Sequence, residues 1–139
     1  MKEIAKTEYY EIRVDESKNR IHLTIIGFWK DRTKLRDYLP DLRRAVEEVA
    51  PGFTVLADLT KMKTPMPEIG ELHEEAQRVV SQAGLSRTAE IVSGIVERMA
   101  AERYSKSSGM NKRSFADLAE AENWLDGSPD GLRRDVETG

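Results

Sequence analysis

The strongest constraint on this chain is a change in the rhythm of its apolar residues. Over Tyr9–Asp15, Tyr10, Ile12 and Val14 recur at every second position, against Glu11 and Arg13. A period of two places alternate side chains on opposite faces, so this stretch is expected to be a half-buried strand. The turn-prone Glu16–Asn19 follows, and Arg20–Trp29 alternates again before turning apolar on both faces at Ile25 and Ile26. Two strands joined by a short polar turn imply an antiparallel hairpin. Leu35, Leu39, Leu42, Val46 and Val49 then fall at near-four spacing, along one face of a helix. Pro40 conflicts with an uninterrupted helix, because it lacks a backbone donor and disfavours helical geometry at Leu39. The helix is therefore either kinked or begins near Pro40, and Pro51-Gly52 ends it.

The two rhythms keep alternating. Phe53–Leu59 (FTVLADL) is apolar on both faces, as expected of a central parallel strand. A loop over Thr60–Met66 leads to a helix opened by Pro67 and stopped by Gly84. Thr88–Ser93 is a short strand, and Ile95, Val96, Met99, Ala100 and Tyr104 mark another helix. Lys112–Phe115 has the length and polarity of an edge strand. Asp117 and Glu120 have capping-box spacing before a last helix through Leu125. The order β-β-α-β-α-β-α-β-α predicts an α/β fold: a mixed, mostly parallel sheet of about five strands with about four helices on its faces. Residues 1–126 are expected to form one domain, and the polar residues 127–139 a mobile tail.

Composition removes several function classes. The 139 residues contain no cysteine, which excludes disulfides, thiolate metal sites and a cysteine nucleophile. Its absence fits a reducing cytosol, and a cytoplasmic location is expected. No apolar run is long enough to span a bilayer. A net charge of -3 with both signs interleaved lacks the basic excess of a nucleic-acid binder. His22 and His73 are the two histidines, too few for a histidine-based metal centre, and the carboxylates form no assignable acid–base pair. No enzyme activity, metal or cofactor is expected.

Three segments together resemble a known family: the opening hairpin EYYEIRVDESKNRIHLTIIGFW, the strand FTVLADLT before a loop and helix, and the ending RSFADLAEAENWL. Over about residues 7–126 the chain resembles the bacterial STAS-like domains related to sporulation anti-sigma-factor antagonists. The resemblance implies a STAS-like fold and a regulatory interaction module with a protein partner. In the antagonists a serine after the equivalent strand, in an Asp-Ser-Ser/Ala-Gly-like segment, is phosphorylated to control partner binding. Here Asp58 is followed by Leu59, Thr60, Lys61, Met62, Lys63 and Thr64, so that motif is absent.

Two candidate sites follow. Asp58, Thr60 and Thr64 lie at the carboxyl end of a central strand, where ligands and partners bind in open α/β sheets. A phosphate there would add about -1.5 to -2 charge, with Lys61 and Lys63 nearby. The plainer alternative is that Asp58 and Thr60 satisfy turn amides and Thr64 caps a helix. Phe28, Trp29, Met62 and Met66 would surround an apolar cleft at the same edge, suited to a lipid-like or other small apolar ligand, unless they merely close the core. A homodimer through a helix face or strand edge is compatible with the sequence, which does not choose the surface.

Overall fold

The computed structural model describes residues 1–29, 32–63, 70–94 and 111–127. Six strands form one sheet in sequential order: β1 (Lys2–Lys6), β2 (Tyr10–Asp15), β3 (Arg20–Gly27), β4 (Thr54–Met62), β5 (Arg87–Ile91) and β6 (Lys112–Phe115). The first two pairings are antiparallel and the other three parallel. The described helices are a 3-10 turn (Arg32–Leu35), α1 (Tyr38–Val46), α2 (Gly70–Gln82) and α3 (Leu118–Leu125). The expected helix over Ile95–Tyr104 and the tail beyond Gly127 lie outside the described residues.

The expected mixed, mostly parallel sheet is present, with one strand more than expected. The addition is β1, which pairs with β2 through a bulge between Glu3 and Ala5. Its sequence, KEIAK, has charged residues at both ends and half-buries only Ile4 and Ala5. It is an edge strand guarded by charge, so the alternation that marks a half-buried strand is missing. Pro40 is accommodated within the first turn of α1, where its missing N–H has no intrahelical partner to lose. The helix therefore starts at Tyr38, ahead of Pro40, and stops short of Val49.

Alternation along each strand builds two cores. Tyr10, Ile12, Val14, Ile21, Leu23, Ile25, Phe53, Val55, Ala57 and Leu59 face α1 and α2 and are all buried. Leu56, Ala89, Ile91 and Phe115 point to the other face, where Ala121 and Leu125 of α3 cover them. β4 lies between β3 and β5 with helices over both faces, which explains why FTVLADL is apolar on both faces. The large core is closed by aromatic rings in edge contact: Trp29 lies 4.8 Å from Tyr38 and 6.2 Å from Tyr10.

Candidate functional site

The carboxyl end of β4 carries a bulge. Thr24 pairs with Asp58, but Ile26 pairs with Lys61, so β4 has one residue more than β3 over this interval. Asp58 Oδ1 secures the bulge by accepting from Thr60 N at 2.9 Å and from Thr60 Oγ1 at 2.6 Å. Asp58 therefore satisfies a backbone amide, that of Thr60, and Thr60 lies on the surface. Thr64 and Met66 lie outside the described residues.

Of the residues expected to surround an apolar cleft at this end, Phe28 and Trp29 do not share one surface. Trp29 is 5 % exposed and belongs to the core, and its Nε1 donates to the Tyr9 carbonyl at 2.9 Å. An indole N–H needs a partner when buried, and the adjacent hairpin supplies one. Phe28 is 57 % exposed instead. Met62 is half-buried, opposite Gly27 and against the large core. The cleft therefore lacks the Trp29 wall assigned to it.

A second site was not anticipated from the sequence. On the α1/α2 side, Thr88, Glu90 and Val92 alternate with Ala89 and Ile91, which puts Glu90 under α2. Glu90 is 1 % exposed. Its Oε2 lies 3.3 Å from Lys112 Nζ of β6 and 3.6 Å from His73 Nε2 of α2. The Lys112 side chain is itself 2 % exposed, and its Nζ lies 3.5 Å from His73 Nε2. Carried as N–H, that imidazole nitrogen donates to Glu90; bare, it accepts from Lys112. Burial pushes the Glu90 carboxyl up, but the His73 hydrogen bond and the Lys112 charge outweigh it and hold it below the usual glutamate range.

Glu90, Lys112 and His73 line a partly open cavity of about 40 Å³ between the sheet and helices α1 and α2. Gln77, one helical turn beyond His73, also lines it. One atom of each of these two side chains, Glu90 Oε1 and Gln77 Nε2, is closed to solvent and has no hydrogen-bond partner among the described residues. The rest of the wall is largely hydrocarbon, from Leu23, Leu42, Val55 and Val80. At about 40 Å³ the cavity is far smaller than the roughly 300–1,000 Å³ of a typical small-molecule site. No cluster of three metal-ligating side chains occurs among the described residues.

The signal for this site was an acid inside TAEIV, a run buried on both faces. A carboxylate in such a run must meet a cation or hydrogen-bond donors. Its partners come from α2 and β6 and meet it only through the parallel register that sets Lys112 beside Thr88 and Ser114 beside Glu90.

No protein-family model and no curated protein matches the sequence. Among solved structures, the chain is similar to an uncharacterized protein from the DUF3478 family, with a SpoIIAA-like fold, from Shewanella loihica PV-4. The two superpose with a TM-score of 0.65 at 16 % identity, covering 87 % of this chain and 97 % of the other. No described helix is long and apolar enough to cross a membrane. The ordered six-stranded sheet, with helices packed on both faces, is thus a SpoIIAA-like fold of the STAS type.

Proposed function

We propose that this protein is a non-catalytic, cytoplasmic regulatory module that binds a protein partner through the carboxyl end of β4, with Thr60 as its point of control. The observation carrying this reading is the position of Thr60: exposed, on a bulge, with its hydroxyl donated to Asp58. Phosphorylation would remove that donor and set about -1.5 to -2 charge beside the Asp58 carboxylate. Like charges at this distance repel, so the modified bulge would have to open. Lys61 and Lys63 are both exposed on the same segment and offer cations to the phosphate or to an acidic partner. Phe28, exposed beside this strand end, supplies an apolar anchor of the kind that dominates interface energetics. The STAS-like fold agrees with such a role and supplies no assignment of residues.

The test is intact mass spectrometry and partner capture from the native host, using wild type, Thr60→Ala and Phe28→Ala. A phosphate present on wild type and missing from Thr60→Ala, together with reduced capture by Phe28→Ala, is the expected result. An unmodified wild type whose partners are unaffected by either substitution overturns the proposal.

A further inference from the structure

We propose that the groove between α1 and α2, on their solvent side, is a docking site for an acidic amphipathic helix of a protein partner. The assignment uses none of the residues at the β4 end, so either proposal can fail without the other. Tyr38, Leu42 and Ala45 turn one face of α1 into the core, and Leu72, Ala76 and Val80 do the same for α2. Beside those faces lie Leu39 and Val46 of α1 and Val79 and Ala83 of α2, and all four are only half-buried. They form the floor of an open groove of about 400 Å³. Arg43 of α1 and Arg78 of α2 are exposed on its walls. Neither forms an ion pair among the described residues, whereas Arg44, next to Arg43, is held by Asp41.

The walls and their charges narrow the occupant. Backbone groups within the two helices are bonded inside each helix, so recognition falls to side chains and an added strand has no ladder to join. Leu39 and Val46 are seven residues, or about 10 Å, apart along α1. That is the two-turn span over which a helix presents apolar anchors to a groove. Two guanidiniums beside an apolar floor select carboxylates on the flanks of such a helix, because arginine meets a carboxylate with two parallel hydrogen bonds. Glu75, half-buried one turn before Val79, sets the register by repelling a carboxylate there. A second copy seated through the same face would bring arginine against arginine, since a two-fold contact places one patch on both molecules. A small anion in an open groove would stay largely in water, whereas small-molecule sites cover most of their ligand.

The experiment is a proton–nitrogen correlation titration of the full chain with two peptides of about 18 residues, longer than the roughly 12–15 below which isolated helices are marginal. Both carry leucines at helical spacing, flanked by glutamates in one peptide and by lysines in the other. Saturable shifts at the amides of Val46, Val79 and Ala83 are expected with the glutamate peptide. The lysine peptide should bind at least about tenfold more weakly, the combined effect of two exposed charge pairs made in one case and opposed in the other. Added salt should narrow that difference. The double variant Arg43→Glu/Arg78→Glu changes only exposed side chains, so it should fold and reverse the preference. No saturable shift with the glutamate peptide overturns the proposal. So does equal binding of the two peptides, or a preference that the double variant leaves unchanged. Shifts at the same amides on raising the protein concentration alone mean that a second copy occupies the groove, and they overturn it too.

Discussion

Replacing Lys112 with Met tests whether the buried charges on β5 and β6 are coupled. The substitution preserves most of the side-chain length and removes the ammonium 3.3 Å from Glu90 Oε2. Glu90 would remain 1 % exposed with its charge poorly compensated. Removing one partner of a buried pair costs about 3–5 kcal/mol, most of it from the ion left behind. Here the lower end applies, because His73 stays 3.6 Å from the same oxygen. With a urea slope of about 2 kcal/mol per molar, a loss of about 3 kcal/mol moves the midpoint by about 1.5 M. Tryptophan fluorescence reports the transition, since Trp29 is buried in the larger core.

The pH dependence distinguishes electrostatics from packing. In the wild type the Glu90 carboxyl is held below its unfolded value of 4.5. Its stabilisation is therefore present above pH 4.5 and is lost as pH falls through the lower folded value. In Lys112→Met, burial becomes the dominant influence and raises the carboxyl above its unfolded value. Protonation then favours the folded variant, so the gap between the two proteins narrows as pH falls from 7 toward 5. The double variant Glu90→Gln/Lys112→Met removes both charges and should recover most of the loss at pH 7. A single variant that loses less than about 1 kcal/mol at pH 7, or a gap that does not change with pH, refutes the coupling.

Three further predictions follow from other parts of the fold. Gly84 has φ +104°, and a Cβ there would stand 2.9 Å from Pro51 Cβ, so Gly84→Ala should cost about 2 kcal/mol in urea unfolding. Arg20, 2 % exposed, donates to Thr54 Oγ1 and to Asp126 Oδ1; because Asp126 is 40 % exposed, Asp126→Ala should cost only about 1–2 kcal/mol by the same assay. Burial raises the hydroxyl pKa of Tyr38, and burial followed by the bond to Asp41 raises that of Tyr10. Their contribution to stability is present below pH 10 and lost as pH rises beyond it, so ultraviolet titration should show both ionising only as the protein unfolds.

Much of this fold was legible because burial and period agree. β2 and β3 show a clean alternation, since one face packs on α1 and α2. β4 has apolar residues on both faces over Val55–Leu59, since helices cover both of its faces. β1 was hidden because an edge strand is selected for charge, and its pairing depends on the β2 edge it completes. The candidate site was legible only in part. Asp58 and Thr60 lie two residues apart and bond locally, so their spacing reveals the contact. Trp29 follows Phe28 directly, and only the packing of Tyr10 and Tyr38 decides which ring turns inward. His73, Glu90 and Lys112 belong to three elements, and no local spacing reveals that they converge.

The two faces of the sheet treat buried charge differently, and the difference bears on function. On the α3 face, Arg20 reaches a half-exposed carboxylate at the end of a helix, so solvent helps to stabilise the pair. On the opposite face, Glu90 and Lys112 are both 2 % exposed in their side chains, and solvent contributes little. Well-packed apolar residues in place of a buried pair are often neutral or stabilising. Stability alone therefore gives no reason to place an acid, a lysine, a histidine and a glutamine around one cavity. They do tie α2, β5 and β6 into one arrangement, because an ionised carboxyl at Glu90 needs His73 and Lys112 beside it. The Lys112 and His73 contacts fix one carboxylate oxygen, while the other has no partner among the described residues.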